Sequence, residues 1–454
     1  MAHPPAHVPT HESRESARAR LQGRGDDDDA VRHGDAERPR PVPPRDRRDR
    51  PRAGPGRAGG TPTPGDAGRA VAGPRVHAGA RRGRAGDPRL DVAGLRILVV
   101  NAGSTSLKLS VVADDGSTKE VESLAQEVDA VAHRVVHGGA RFRDPVVVDD
   151  EVAEALAELA ELAPLHNGPA LAALVDARRV LPDVPHVAVF DTAFHATLPE
   201  EAAVYAVPRR WREDWGIRRY GFHGLSVQWA AERVTARRLV VCHLGGGCSV
   251  TAVLDGRSVE TTMGFSPLEG IPMATRSGSI DAEIVVHLLR TGKLGLDDVE
   301  RTLERESGLL GLSGLSARLE ELEQSTEASA GLALEVFAYR TAAAVGAMTV
   351  ALGGLDALVF TGGVGERSAP TRTNVCARLR FFGVDLDERA NAVAEPDADV
   401  EVPGSSVRIV VLRAQEDVIA ARAARRLLRA GQWPLRRPGG SRVGSGPAAG
   451  RSQA

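Results

Sequence analysis

The stretch from Leu95 to Val112, LRILVVNAGSTSLKLSVV, leaves the chain few ways to fold. Leu95 to Val100 is an apolar, partly β-branched run of the length of a buried strand. Asn101, Ala102, Gly103, Ser104, Thr105 and Ser106 then turn the chain, and Leu107, Leu109 and Val111 alternate as a second strand. The pattern predicts a β-hairpin whose tip is crowded with hydroxyls and backbone N–H groups, with Lys108 just past it, where one positive charge could meet a phosphate. The plain alternative is a Ser/Gly turn that binds nothing. The Walker pattern is absent, and no helix follows the turn.

The same design returns later. Arg238 to His243 reads as a strand, Leu244 to Gly247 as a glycine-rich turn, and Ser249 to Leu254 as the strand that comes back. Two such hairpins in one chain point to two related α/β halves facing a shared nucleotide. A third glycine turn, Thr361 to Glu366, lies between a strand at Leu355–Phe360 and a helix, where missing side chains let a nucleotide approach the backbone.

Between these turns lie the other chemistry-bearing residues. Val128 to Val136 is a strand with Arg134 inside it, and a buried arginine needs an anionic partner, either a structural carboxylate or a ligand. Glu151 to Leu162 has helical spacing, Pro164 to Gly168 interrupts it, and Pro169 to Leu181 resumes. The strand Val187–Phe190 delivers Asp191 at its C-terminal end, a position suited to a metal or ligand, though also to a loop cap. Tyr220 to Gly224 precedes a helix from about Ser226, and Met263 to Ile280 is a long aperiodic loop carrying Arg276. Helices are predicted at Asp281–Leu289, Leu296–Arg305 and Ala328–Leu352, and the last strand at Val407–Leu412. Gln415, Glu416 and Asp417 open the last helix, which runs to about Arg429; acids there serve either the helix dipole or a metal.

Composition sets the outer bounds. A chain of 454 residues can bury two cores, and a net charge of -2 argues against bulk attraction to nucleic acid or membrane. Three cysteines make no disulfide framework and fit a reducing compartment; Cys242 and Cys248 read as small strand residues rather than zinc ligands. With no apolar run long enough to span a membrane and no signal-peptide core, the expected location is cytoplasmic. Residues 1–93, rich in Arg, Pro, Gly, Ala and Asp with an acidic block at Asp26–Asp29, are predicted disordered. They are a dispensable arm, an upstream extension of a frame that starts near Val92, or a basic segment for an acidic partner. Residues 432–454 are predicted disordered as well.

In order along the chain stand NAGSTSLK, AHRVVHGG, APLHN, VFDTAFH, YGFHG, CHLGGG, TTMGFSPLEG, MATRSGSID, FTGGVGE and the acidic start of the last helix. From about Leu95 to Gly431 the chain resembles the acetokinase family, the acetate kinases of the superfamily that also holds sugar kinases, chaperone ATPases and actin. The resemblance implies an α/β fold of two actin-like (ribonuclease H-like) domains, each on a βββαβαβα core, around an interdomain cleft that closes. It implies a first domain of residues 94–192 plus 416–431 and a second of 193–415, the latter holding the nucleotide and the contacts of a homodimer. It also implies ATP and acetate (or propionate or butyrate) as substrates, with Mg²⁺ or Mn²⁺.

Position by position, the resemblance puts Asn101 and Glu416 at the metal, with Asp191 at the same end. Ser104, Ser106 and Lys108 belong to the first phosphate hairpin, His243, Gly245, Gly246 and Gly247 to the second, and Gly363 and Gly365 lie beside the nucleotide. Arg134 and Arg276 are implied to bind the substrate carboxylate and the phosphoryl group in flight, which His223 steadies. Val136, Leu165, Phe222 and Pro267 are implied to wall a small pocket for the methyl group. The chain departs from the family pattern at Gly246, where asparagine is common, and at Gly168, where proline is usual. It departs again at Arg318, Leu319 and Glu320, where an aspartate–aromatic–arginine run contacts adenosine. The Lys108–His133 stretch is also short. Gly246, the altered Arg318–Glu320 run and the shortened stretch motivate a rival expectation, a nucleotide-binding member that has lost catalysis.

Overall fold

The protein's structure, a computed structural model, describes residues 94–102, 107–159 and 164–431, with the backbone alone at 164–166. The arm at 1–93, the tail at 432–454, and Ser104 and Ser106 at the first hairpin tip lie outside the described residues. The first half is built on β1 (Ile97–Ala102), β2 (Leu107–Val112), β3 (Thr118–Val121), β4 (Ala130–Val135), β5 (Val146–Val147) and β6 (His186–Phe190). They form one sheet in the order β3-β2-β1-β4-β6-β5. The second half uses β7 (Arg238–Leu244), β8 (Cys248–Leu254), β9 (Arg257–Thr261), β10 (Ala357–Thr361), β11 (Ala398–Asp399) and β12 (Arg408–Val411), in the order β11-β12-β10-β7-β8-β9.

The two sheets share one topology. In each, an antiparallel three-strand meander comes first, two parallel strands add beside its first strand, and a two-residue antiparallel strand closes that edge. The doubled hairpin in the sequence is therefore the visible part of a doubled sheet. Both hairpins form as predicted: β1 pairs β2 from Ile97↔Val112 to Ala102↔Leu107, and β7 pairs β8 from Arg238↔Leu254 to Leu244↔Cys248.

Two helices, Gly224–Arg233 and Glu416–Arg429, lie between the sheets and bury apolar residues against both. Ile97, Val99, Val187 and Val189 come from the first sheet, and Leu239, Val241, Val359 and Val410 from the second. Trp229, Val418, Ile419 and Leu428 come from the helices between. The outer face of the second sheet is covered by the long helix Ala328–Leu352, through Ala333, Phe337, Ala342, Val345 and Met348. Helix Pro164–Val180 covers the first sheet through Ala170 and Ala173. Strands buried on both faces explain their near-continuous Val/Leu/Ile content.

Two expectations need correction. Helix Pro164–Val180 starts at Pro164 and contains Pro169, instead of restarting there. Proline is tolerated at helix starts. Here buried Asn167 pins the first turn: its Oδ1 accepts from His137 N at 3.0 Å and its Nδ2 donates to His137 O at 3.1 Å. The run Gly362–Arg367 is itself a short helix, since only its first residue, Gly362 at φ 77°, needs the left-handed region. An Asp255–Gly256 turn with φ of 48° and 77° joins β8 to β9; the Asp-Gly pair is its signal in the sequence.

Candidate active site

A cavity of about 1010 Å³ opens between the halves. Its first wall carries Asn101 at the end of β1, Lys108 on β2, Arg134 on β4 and Glu416 at the start of the last helix. Its second carries Gly245, Gly246 and Gly247 between β7 and β8, Arg276 on the long loop, and Gly363. Parallel strands β1 and β4 set Asn101 beside Arg134 in register, which brings residues 33 positions apart within hydrogen-bond reach.

Arg134 is the hub of the first wall. Its Nε and Nη2 donate to Asp191 Oδ1 and Oδ2 at 3.0 and 2.6 Å, and its Nη1 donates to Asn101 Oδ1 at 3.0 Å. Glu416 Oε2 lies 3.6 Å from Nη1. Burial opposes the guanidinium charge, but Asp191 and then Glu416 outweigh it and raise its pKa further. Asp191 is buried and turns both oxygens to Arg134 instead of lining the cavity. Burial also works against the charge of Glu416, yet Arg134, His243 and Lys108 hold it below the ordinary carboxyl value. Asp417 sits behind, accepting from Ser110 Oγ at 2.7 Å and Asn101 Nδ2 at 3.4 Å.

The second wall is built around a histidine pair. His223 takes φ 57°, rare outside glycine, just before helix Gly224–Arg233, and its ring stacks on His243 at 4.1 Å. His223 Nδ1 lies 3.0 Å from Ser249 Oγ, and His243 Nδ1 lies 2.8 Å from Ser226 Oγ. Burial holds His223 well below the ordinary histidine value, with His243, Arg134 and Arg276 pushing the same way. It is therefore a neutral imidazole at pH 7. Gly247 sits where the groups converge, since a β-carbon there would stand 3.1 Å from Arg276 Nη2 and 3.2 Å from His223 Nε2. Arg276 is itself fixed, its Nη1 donating to Pro267 O at 2.8 Å and its Nε 3.9 Å from Glu304.

Beside the cavity, His137 meets the Phe222 ring edge-on at 5.4 Å, Val136 packs on the core cluster that holds Phe222, and Pro267 is held through its carbonyl by Arg276. Gly139 N donates to His137 Nδ1 at 2.8 Å, so Nε2 carries the proton and meets Phe265 O at 3.2 Å, tying the halves together. The Leu165 side chain lies outside the described residues. Gly365 stands off the cavity, packed on the backbone of Phe360 and Cys242. A β-carbon at Gly246 would meet no atom within 4 Å. The far end of the cavity is charged, with Arg318, Glu320, Glu323 and Arg367, and Arg367 Nε donates to Glu320 Oε1 at 3.1 Å.

Of the site's supporting residues, His137, Ser226, Ser249, Glu304 and Asn167 are not singled out by the sequence. A signal existed for Ser249, which the hairpin register sets directly opposite His243. For Asn167 and Glu304 none did, because each works across a tertiary contact.

His195 supports this wall from behind, with Nε2 2.9 Å from Phe222 O and Nδ1 2.8 Å from Ser258 Oγ. Burial pushes its pKa down from 6.5 to about 4. The unfolded chain therefore binds more protons than the folded one between those values. Stability from this group is complete above the unfolded pKa and is lost as pH falls below it, by about 2 kcal/mol at about pH 5. Urea unfolding of wild type and His195→Asn between neutral pH and pH 5 checks this; equal pH slopes would refute it.

Two sheets of one topology, joined through shared central helices and facing each other across a cleft, define the actin-like class of α/β proteins. The chain covers 98% of a propionate kinase from Francisella tularensis subsp. tularensis SCHU S4, at 31% identity over 72% of its own length and a TM-score of 0.68. It covers all of Porphyromonas gingivalis acetate kinase, at 31% identity over 74% of its own length and a TM-score of 0.66. The acetokinase family model matches residues 112–422. An acetate kinase of Nostoc punctiforme is 45% identical over 314 residues, which is 67% of this chain and 77% of that protein. One of Synechococcus sp. is 47% identical over 315 residues, 67% of this chain and 78% of that protein. The chain belongs to the acetokinase family.

Proposed function

We propose that this protein transfers a phosphoryl group between ATP and acetate, acetate + ATP ⇌ acetyl phosphate + ADP, by direct in-line displacement. The observation that carries the reading is the convergence of Arg276 Nη2 and His223 Nε2 at Gly247, across a cleft from Lys108, Arg134 and Glu416. In the transfer, an acetate oxygen bonds to the γ-phosphorus as the bond to the ADP oxygen breaks. Negative charge spreads over the equatorial oxygens, so the site needs preorganised donors more than a base. Acetate is already an anion near neutral pH, like any carboxyl of its pKa.

Arg276 presents a fixed guanidinium fork to that charge. If Ser249 Oγ donates to His223 Nδ1, then His223 Nε2–H faces the cleft as a neutral donor. Val136, Phe222 and Pro267 shape the space for the methyl group, with Leu165 in the same role. Gly245, Gly246, Gly247 and Gly363, with Lys108 and His243, line the phosphate path, to which we also assign Ser104 and Ser106. Gly365 acts one layer behind, as packing.

The donor set suits Mg²⁺ or Mn²⁺. Among the described residues there is no cluster of three His, Cys, Asp or Glu that could form a closed metal cage. Mg²⁺ keeps several waters and takes one or two carboxylates plus substrate phosphates. Glu416, held ionised at the cavity wall, supplies the carboxylate, with Asn101 beside it. When bound, the ion neutralises developing phosphate charge. Asp191, turned to Arg134, acts on this end as the counter-charge that aims the guanidinium.

The domain division proposed is 94–192 plus 416–431 and 193–415. A homodimer through the second domain is supported by helix Ala282–Arg290, which buries no residue although Ile284, Val286 and Leu289 are apolar. A cytoplasmic location is supported by three buried free cysteines. No helix of the described residues is long and apolar enough to cross a membrane.

Trapping acetyl phosphate with hydroxylamine should give a signal that needs acetate, ATP and Mg²⁺ together. Folded protein giving none with any short carboxylate would leave the rival, a nucleotide binder without turnover. Propionate or butyrate as the better acceptor is the second reading, favoured by the propionate kinase among the similar structures. One methylene is worth only about 1–3 kcal/mol in an apolar pocket, so kcat/KM for the three acids decides between them.

A further inference from the structure

Glu366 lies outside the cavity lining, yet it ties the glycine wall to the segment that ends in Glu416. Its Oε1 accepts from Ala414 N at 2.9 Å. Ala414 belongs to the crossover that leaves β12 and enters the last helix, two residues before Glu416. The rest of that crossover is held on the second half as well. Leu412 N donates to Phe360 O, Arg413 N to Asp397 Oδ1 and Trp229 Nε1 to Arg413 O, each at 2.9 Å.

Past Glu366's anchor, the partners change sides. Glu416 lies 3.6 Å from Arg134, and Asp417 accepts from Ser110 at 2.7 Å and from Asn101 at 3.4 Å, all on the first sheet. Ala414 is thus the last backbone group fixed on one half before two carboxylates reach the other.

Glu366 is itself clamped. Arg372, only 1% exposed, donates through Nη1 to the carbonyls of Gly365 and Glu366 at 2.9 Å each. Its Nε and Nη2 go to Asn391 Oδ1 and O at 2.6 and 3.0 Å. A buried guanidinium spent on neutral oxygens at the end of the Gly362–Arg367 helix fixes where Glu366 starts. Gly363, at the other end of that helix, lines the cavity.

We infer that Glu366 is a positioning residue that sets Glu416 in place through the Ala414 amide, so that the glycine wall and the carboxylate at the metal end keep one spacing. The inference rests on the phosphotransfer reading for its consequence and on the hydrogen bond for its cause. Glu366→Ala removes the acceptor, whereas Glu366→Gln keeps an oxygen there for Ala414 N.

The expected result for Glu366→Ala is a kcat lower by about 10–100-fold and a several-fold higher Mg²⁺ requirement, because small misplacements at a transfer site have effects of this size. The KM for acetate should stay within about twofold, since the methyl pocket is not touched. Amide hydrogen exchange in residues 412–417 should quicken in the alanine variant and stay at the wild-type rate in Glu366→Gln, with kcat restored. An alanine variant with unchanged kcat and Mg²⁺ requirement would overturn the inference. So would a folded glutamine variant as impaired as the alanine one, which would mean the charge acts directly. The exchange measurement needs no turnover. Protein inactive on every short carboxylate but showing the exchange difference would sink the phosphotransfer reading and leave the anchor standing. If the alanine variant does not fold, the glutamine variant decides through exchange and kcat.

Discussion

Arg276→Ala is expected to lower kcat by about 10²–10³-fold, the loss typical of removing one preorganised donor from a developing anion. The loss should fall on kcat more than on KM, because the donor is set for charge that grows in the transition state. The geometry behind this is specific. Arg276 hangs from a loop without regular structure, yet Pro267 O takes its Nη1 at 2.8 Å and Glu304 lies 3.9 Å from its Nε. That leaves Nη2 beside Gly247 and His223 Nε2 at the cleft. Folding should change little on substitution. Arg276 and Glu304 stand 3.9 Å apart, beyond hydrogen-bond range, so truncation takes no bond from that carboxylate. Arg276→Lys should recover only a small part of kcat, since one ammonium cannot hold Pro267 O and face the cleft in a fixed fork. Steady-state kinetics and urea unfolding on the same preparations check both halves; kcat within a fewfold of wild type would remove Arg276 from the reaction.

What the sequence disclosed follows from the range of each interaction. The hairpins of β1–β2 and β7–β8 rest on local alternation and a glycine turn, so their strands were predicted to within two residues. The charged residues of the first wall were each visible as anomalies: an arginine inside a strand, an aspartate at a strand end, acids at a helix start. Their mutual arrangement was not visible. It comes from the parallel pairing of β1 with β4 and of β4 with β6, which sets Asn101 beside Arg134 and Arg134 beside Val189, two residues before Asp191. Proline rules are local and set the start of helix Pro164–Val180 too late, while the Asn167–His137 contact that holds its first turn spans 30 positions. The histidine pair was hidden for a similar reason. His223, with a left-handed backbone, stacks its ring on His243 of β7 across 20 positions of chain. The glycine run after β10 read as a loop because glycine disfavours helix, and tertiary bonds from Arg372 to Gly365 and Glu366 override that preference.

Arg134→Ala should differ from the Arg276 variant by losing stability as well as turnover. Asp191 is 1% exposed, and Arg134 meets both of its oxygens, at 3.0 and 2.6 Å. Truncating Arg134 leaves that carboxylate buried without its cation, a change that typically costs about 3–5 kcal/mol. A second loss comes from Glu416, whose charge Arg134 helps to hold below the ordinary carboxyl pKa. Turnover per folded molecule should fall too, since Arg134 lines the cavity. The double variant Arg134→Ala/Asp191→Asn separates the two effects. With the buried charge at Asp191 removed, it should regain much of the unfolding free energy lost by the single variant, short of the part owed to Glu416, while kcat stays low. Urea unfolding followed by kcat, each on the same three proteins, gives the answer. If the double variant recovered turnover along with stability, Arg134 would be a structural counter-ion for Asp191 and nothing more. If the single variant unfolded at the wild-type urea concentration, the buried ion pair would not be what holds Asp191, and the first wall would have to be held by the Asn101–Asp417–Ser110 bonds instead.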